Sequence, residues 1–99
     1  MISHVVIFWT DPANPKSADA LIAGARQHLP KIPGITHFHI GKMTTSDREV
    51  VAKDYQVGLN LGFTSKQALS DYQVHPSHVE FVERAAKPNC TKHRVYDFE

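Results

Sequence analysis

The chain has 99 residues, of which 41% are hydrophobic and 21% are charged. This length predicts one domain spanning residues 1–99, and the composition is that of a globular protein rather than a disordered one. The formal net charge is +1 with neutral histidines, and the basic residues are scattered along the chain. We therefore expect no nucleic-acid partner.

Cys90 is the only cysteine, so no disulfide can form within the chain and a reducing cytoplasm is the expected location. The longest apolar run near the N-terminus, from Val5 to Trp9, is too short for a signal sequence or a membrane span. No membrane partner is therefore expected. A nucleophilic role for the single cysteine is the less favoured alternative.

The first half of the chain predicts a strand, a helix and a second strand. Ile2–Trp9 is rich in β-branched and aromatic residues and stops before Asp11-Pro12, which is typical of a strand followed by a turn. Ser17 is the expected N-cap of a helix that Pro33-Gly34 closes. The apolar residues of this helix follow helical spacing and are Ala18, Leu21, Ile22, Ala25, Leu29 and Ile32. The short alternating segment Ile35–Lys42 is the second strand.

The second half predicts a strand, an interrupted helix and a last strand. Residues 43–53 are polar and unpatterned, as in a loop or a small lid. Between Asp54 and Phe63 apolar residues alternate with polar residues and glycines, which places Tyr55, Val57, Leu59, Leu61 and Phe63 on one face of a strand. Ser65 is the expected cap of the second helix, which His75-Pro76 interrupts and which resumes to about Lys87 before Pro88-Asn89. Residues 92–98 form the last strand.

The predicted order is β-α-β-β-α-β, which indicates an α+β fold of the ferredoxin-like type. In this fold two helices cover one face of a four-stranded antiparallel sheet. The first strand is nevertheless apolar on both faces, since Val5, Ile7 and Trp9 lie opposite Val6 and Phe8. A monomer would expose the first set as a contiguous apolar patch. We therefore expect a homodimer that forms through the open sheet face, with an exposed tryptophan on a monomer as the alternative.

Three side chains are candidates for acid/base chemistry. His78 shares helical spacing with Phe81, Val82 and Ala85, and Tyr72 shares it with Ala68 and Leu69, so both should point towards the core. His4 alternates with Val6 and Phe8 on the first strand and should reach the same region. The alternative for each is a hydrogen-bonded core residue without a chemical role.

Two further histidine positions have simpler interpretations. His75 precedes Pro76 and is expected to cap the second part of the broken helix. His37 and His39 alternate on one face of a strand, a spacing that could bind a metal, but no third ligand is placed by the sequence. We therefore predict no side-chain metal site.

Several segments together resemble the stress-responsive A/B-barrel (Dabb) family. They are Ile2-Ser3-His4-Val5-Val6-Ile7-Phe8, Ile32-Pro33-Gly34-Ile35, Gly41-Lys42, the Tyr72-x-x-His75-Pro76-x-His78 signature with Leu69-Ser70-Asp71 before it, and Val95-Tyr96-Asp97-Phe98. The resemblance implies a ferredoxin-like subunit that dimerises through its sheet into an α/β barrel. Many members of that family are stress-induced proteins of unassigned activity, and one plant member is a polyketide cyclase.

The resemblance to that cyclase implies an acid/base pair at Tyr72 and His78 and a pocket histidine at His4. The sequence departs from the cyclase at Leu21, Ile22 and Ala25, which replace bulkier aromatic positions, and at His93, which replaces an aliphatic residue. The pocket is therefore expected to differ in shape and ligand. It should be bounded by Val6, Phe8, Leu59 and Leu61 of the sheet and by Leu21, Ile22 and Ala25 of the first helix.

The expected function is the binding of a small, partly apolar carbonyl compound in this pocket. If the protein is an enzyme, His78 would act as base and Tyr72 would donate a hydrogen bond to the enolate oxygen. No metal or organic cofactor is required for that proton transfer. The alternatives are a non-catalytic stress or structural dimer that at most sequesters a ligand, and a relative of the cofactor-free monooxygenases that share the dimeric barrel.

Overall fold

The computed structural model describes all residues, 1–99. Its four strands are β1 (Ile2–Trp9), β2 (Ile35–Lys42), β3 (Val57–Phe63) and β4 (Lys92–Phe98). Its helices are α1 (Pro15–His28), α2 (Lys66–Val74), α3 (Pro76–Phe81) and the single turn α4 (Lys87–Asn89), with a π-helical segment, Val82–Ala86, between the last two. No helix has the length and apolar character that crossing a bilayer requires.

The strands form one antiparallel sheet in the order β2-β3-β1-β4. The first and last strands of the chain are therefore neighbours, and their register pairs His4 with Asp97, Val6 with Val95 and Phe8 with His93. Paired residues of neighbouring strands point to the same face. The ferredoxin-like α+β fold predicted from the element order is confirmed.

The two faces of the sheet differ in burial. On the helix side, β1 places Ile2, His4, Val6 and Phe8 in the interior, each at most 5% exposed. On the other side, which we call the uncovered face, Val5, Ile7 and Trp9 are only half-buried. Tyr96 and Phe98 of β4 extend this face and are 52% and 61% exposed. The predicted division of β1 into two apolar faces is therefore confirmed.

The helix breaks follow from local backbone chemistry. Ser65 Oγ accepts a hydrogen bond from the amide of Ala68, as the sequence predicted for the start of α2. His75 has an extended backbone (φ −64°, ψ 138°), because a residue before proline is displaced from the helical region. Its Nδ1 accepts a hydrogen bond from the amide of Ser77 at 3.1 Å. His75 therefore ends α2 and caps α3, in agreement with its predicted role.

Four predicted boundaries were wrong. The first helix ends at His28, with Leu29 as its C-cap, and does not extend to Pro33-Gly34. The first helix begins at Pro15 behind Asn14 rather than behind Ser17, because the fixed φ of proline suits the first helical position. The third strand begins at Val57, not at Asp54. The last helical region continues through Pro88 to Asn89 as α4 instead of ending near Lys87. Proline is tolerated there because it lies in the first turn of that short helix.

The π-helical segment packs closely against α1. A Cβ added to Gly24 would lie only 2.3 Å from the Cβ of Ala85. Any residue with a side chain at position 24 would therefore force α1 and the π-helical segment apart. Ala85 and Ala86 are buried at this contact. Isolated π-helical turns are frequent next to functional sites. Here the segment forms part of the wall of a mostly apolar cavity.

Candidate functional site

A cavity of about 410 Å³ lies between the β1–β4 side of the sheet and the helical region from α2 to α4. Its sheet wall includes His4, Val6 and Phe8, and Val95 and His93 of the adjacent strand. Its helix wall comprises Tyr72, Gln73, His78, Phe81, Val82, Ala86, Lys87 and Cys90. Mostly apolar walls with a few convergent polar groups are typical of small-molecule sites.

His4 is the buried polar residue of the sheet wall, with 5% of its surface exposed. Its Nδ1 lies 2.5 Å from Oδ1 of Asp97, the residue paired with it across the β1–β4 seam. Because a carboxylate only accepts hydrogen bonds, Nδ1 carries the hydrogen and donates it. The Asp97 side chain is half-exposed at the outer side of this pair. The ring of His4 is thereby fixed in orientation.

Tyr72 lies between the two cavity histidines. Its ring centroid is 5.8 Å from that of His4 and 4.5 Å from that of His78, and its other aromatic neighbour, Phe63, is at 5.0 Å. Only 1% of the tyrosine is exposed. Burial raises its pKa above the ordinary value of 10. The Tyr72 hydroxyl is therefore protonated at neutral pH and able to donate a hydrogen bond.

His78 is half-buried on the first turn of α3. Its Nδ1 lies 3.0 Å from the carbonyl oxygen of Gln73, which can only accept, so Nδ1 is the protonated nitrogen and the lone pair of the neutral ring is on Nε2. Burial lowers the pKa of His78, the hydrogen bond to Gln73 opposes this shift, and the charge of nearby His4 adds to it. His78 is therefore neutral at pH 7 and has a basic nitrogen available.

These three side chains offer a base beside a hydrogen-bond donor in a largely apolar space. A neutral imidazole can accept a proton from a ligand, and a phenol can stabilise the negative oxygen that results. Cys90 also lines the cavity, but burial raises the pKa of its thiol and so disfavours the nucleophilic thiolate. The geometry favours acid/base chemistry over thiol chemistry.

Comparison with known proteins identifies the family of the chain. The model of the family described as the stress responsive A/B barrel domain (Dabb) matches residues 2–99. The chain belongs to this family. A relative with the same domain, stress-response A/B barrel domain-containing protein HS1 of Arabidopsis thaliana, is 30% identical over 81 residues, which cover 81% of this chain and 72% of that protein.

Solved Dabb-like structures share the fold over nearly the whole chain. A Dabb family protein with a ferredoxin-like fold from Mesorhizobium loti has a TM-score of 0.81 at 26% identity, covering 99% of this chain and 94% of that one. A dimeric ferredoxin-like protein of unknown function from Jannaschia has a TM-score of 0.75 at 26% identity, with 99% and 97% covered. The hydroxynitrile lyase from Passiflora edulis has the same fold, with a TM-score of 0.78 at 19% identity and 98% and 90% covered.

Most, but not all, of the residues predicted for the Dabb pocket line the cavity. His4, Val6, Phe8, Leu59, Tyr72 and His78 do so. Leu61 does not, because it is fully buried in the core beside β2. The predicted boundary at Leu21, Ile22 and Ala25 was also wrong. These residues are buried on α1, which packs on β2, the strand farthest from β4.

Sequence analysis missed Asp97 as a part of the site and named His93 only as a departure from the cyclase. Asp97 holds the His4 ring, and His93 lines the cavity beside Phe8 with ring centroids 6.2 Å apart. The signal was present in the alternation of His93, Val95 and Asp97, which matches Phe8, Val6 and His4 once the two strands are paired. In a ferredoxin-like fold the last strand lies beside the first, so the pairing could have been inferred from the topology.

The other histidines that the sequence analysis considered lie elsewhere. His37 and His39 pair with Gly62 and Asn60 and belong to the uncovered face. No group of three or more His, Cys, Asp or Glu side chains is arranged to hold a metal ion. His75 is engaged as the cap of α3.

Proposed function

We propose that this protein binds a small, partly apolar carbonyl compound in the cavity and removes a proton from the carbon next to the carbonyl. The observation that carries the proposal is the pair formed by Tyr72 and His78, whose rings are 4.5 Å apart in a cavity of about 410 Å³. A core filled by side chains would have favoured a purely structural role. A cavity of this size accommodates a small ligand.

The proposed step uses the protonation states of both side chains. His78 Nε2 takes the proton from the α-carbon, and the electron pair of the broken C–H bond moves to the carbonyl oxygen. The Tyr72 hydroxyl donates a hydrogen bond to the enolate oxygen, in surroundings where such a bond is stronger than in water. The imidazolium then returns the proton to carbon. Alternatively, the enolate carbon attacks a second carbonyl of the same molecule, as in an aldol cyclisation, and the imidazolium protonates the alkoxide that forms.

The fold is compatible with enzymatic activity on small molecules. A hydroxynitrile lyase has this fold, although its 19% identity supports nothing more specific. The match to the Dabb family identifies the type of domain but specifies no reaction. The proposal therefore depends on the side chains of this chain and on their arrangement in the cavity.

We also propose that the functional unit is a homodimer formed through the uncovered face. Val5, Ile7 and Trp9 are half-buried on this face, and Tyr96 beside Val5 is 52% exposed. A contiguous apolar patch of this kind is typical of a protein interface. The Jannaschia protein with this fold is dimeric. The cavity lies on the opposite face of the sheet and would remain accessible in such a dimer.

Deuterium exchange at the α-carbon of a simple ketone tests the proposed reaction. The wild-type protein in D₂O at neutral pH should accelerate loss of the proton NMR signals next to the carbonyl of 2-nonanone. His78→Gln and Tyr72→Phe should each reduce the acceleration at least about 100-fold, since general acid/base groups contribute that much. His75→Asn is the matched control, because asparagine preserves a helix cap and position 75 is outside the cavity.

The outcomes separate catalysis from sequestration. Exchange that depends on His78 and Tyr72 but not on His75 supports the proposal. Binding of 2-nonanone without accelerated exchange would overturn the reaction and leave a ligand-sequestering protein. Absence of both binding and exchange would overturn the small-molecule function altogether.

A further inference from the structure

The cavity is elongated along β1, and its chemistry changes from one end to the other. His4 faces Tyr72 at one end, with ring centroids 5.8 Å apart, and Phe8 faces Phe81 at the other end, at 6.3 Å. The helix wall therefore follows β1 in the same direction. His4 and Phe8 are four residues apart, which corresponds to about 13 Å at the usual rise of about 3.3 Å per residue. We call these the His4 end and the His93 end, since His93 is the β4 neighbour of Phe8.

The cavity has a polar group at each end and an apolar middle. The His4 end contains the acid/base residues, while Val6 and its β4 neighbour Val95 line the middle. At the His93 end, the imidazole of His93 lies beside Phe8 at 6.2 Å on the same face of the sheet. A ligand that fills the cavity therefore needs polar atoms at both extremities and few between them.

Among the nitrogen-bearing side chains of the His93 end, two are already engaged. The amine of Lys87 lies 2.7 Å from Glu83 Oε1. The amine of Lys92 lies 4.4 Å above the ring of Trp9, which belongs to the uncovered face. His93 makes no such contact and directs its ring at the cavity. It is therefore the side chain of this end that is free to donate a hydrogen bond to a ligand.

The two ends also differ in exposure. His4 and Tyr72 are 5% and 1% exposed, whereas the residues of the His93 end that belong to β4 are exposed to solvent. A charged group at the His93 end would keep part of its hydration, so that its desolvation cost would be small. No Asp or Glu side chain lines the cavity, which favours an anionic over a cationic group there.

From these observations we infer that the substrate is an elongated oxo acid. Its carbonyl reaches Tyr72 and His78, its chain lies against the apolar middle, and its carboxylate accepts a hydrogen bond from His93. This inference rests on the proposed function and adds the substrate class and a specificity residue. A contact of about 3 Å at each end leaves about 7 Å of the cavity length for the chain between the two polar groups. At about 3.5 Å per three bonds, this length corresponds to about six chain bonds.

A matched pair of nine-carbon ligands tests the inference. The ligands 8-oxononanoic acid and 2-nonanone carry the same methyl ketone, and only the acid has a carboxylate, seven bonds from the carbonyl. The acid should bind wild-type protein roughly fivefold more tightly, as expected for a partly exposed hydrogen bond to a charged group. The short 4-oxopentanoic acid cannot reach both ends and should show no such advantage over 2-pentanone.

Variants at position 93 identify the residue responsible. His93→Leu removes the donor and should abolish the preference for 8-oxononanoic acid over 2-nonanone. His93→Gln retains an N–H donor and should restore part of the preference. His75→Asn serves as the control histidine outside the cavity and should leave the preference intact.

The result also distinguishes failure of the substrate class from failure of the reaction. If 2-nonanone exchanges but the acid binds no better, or if the preference survives in His93→Leu, the oxo-acid inference is overturned and the proposed reaction stands. If neither ligand binds, both are overturned. A preference that is lost in His93→Leu and kept in His75→Asn supports the inference.

Discussion

The imidazole rings of His4 and His78 are both held through Nδ1, but by different partners. The carboxylate of Asp97 accepts from His4, and the carbonyl oxygen of Gln73 accepts from His78. A neutral partner brings no negative charge to stabilise an imidazolium, so burial dominates at His78 and lowers its pKa. The lowered pKa keeps His78 in the neutral form that can accept a proton at pH 7.

For single residues, the sequence predicted the orientation of side chains better than their hydrogen-bond partners. Helical spacing correctly predicted that Tyr72 points into the core, and strand alternation correctly predicted the same for His4. The hydrogen bond from His78 to Gln73 was not predictable, because it depends on the sharp change of backbone direction at His75 between them. Asp97 was missed because its role depends on the register between two strands that are distant in sequence.

Protonation of His78 should destabilise the folded protein at acidic pH. Its folded-state pKa is below the ordinary value of 6.5, so at lower pH the unfolded chain takes up the proton more readily than the folded one. The contribution of neutral His78 to stability is therefore complete above pH 6.5 and is lost as the pH falls from that value through the folded-state pKa. Thermal melting should show a smaller decrease from pH 7 to about pH 5 for His78→Gln than for wild type. Equal decreases would contradict the prediction.

Among the elements, strands were easier to predict than the helical region after Pro76. The bounds of β2 and β4 agree with the predicted ranges, since strong alternation and flanking turns define them. The π-helical segment between α3 and α4 has no signature in its own sequence. It packs against Gly24 of α1, which lies about 60 residues earlier in the chain. A prediction from local pattern could not include that contact.

Gly24→Ala should destabilise the protein although it lies within a helix. Alanine in place of glycine normally stabilises a helix interior by about 1 kcal/mol. Here the new Cβ would lie 2.3 Å from Ala85 Cβ, and such overpacking costs about 1–3 kcal/mol. The midpoint of urea unfolding should therefore decrease. The double variant Gly24→Ala with Ala85→Gly removes the clashing atom and should recover part of the loss. A more stable single variant would show that α1 and the π-helical segment separate easily.

For the whole molecule, topology was predictable and the extent of the cavity was not. The order of elements placed the helices on one face, and the apolar pattern of β1 indicated a second apolar face. The predicted pocket extended to Leu21 and Ile22 because both point inwards from α1. Yet α1 lies towards β2, so that the cavity forms between β4 and the later helices. Which half of a sheet a helix covers depends on packing between helices, which spacing within one helix does not specify.

The proposed dimer forms through the uncovered face and can be tested with a single charge. Val5 is the best position, because its neighbour across the β1–β4 seam is the uncharged Tyr96. Ile7 and Trp9 are less suitable, because they lie beside Arg94 and Lys92, which could neutralise an introduced carboxylate. Val5→Asp would place an unpaired charge in the dimer interface and should raise the dissociation constant by at least about 100-fold, given the penalty of about 3–5 kcal/mol for an uncompensated buried charge. Sedimentation velocity at micromolar concentration should show dimers for wild type and monomers for the variant.

Val50→Asp makes the same change on a loop residue that is 76% exposed and should remain dimeric. A monomeric wild-type protein, or a Val5→Asp variant as dimeric as Val50→Asp, would place the interface elsewhere or exclude it.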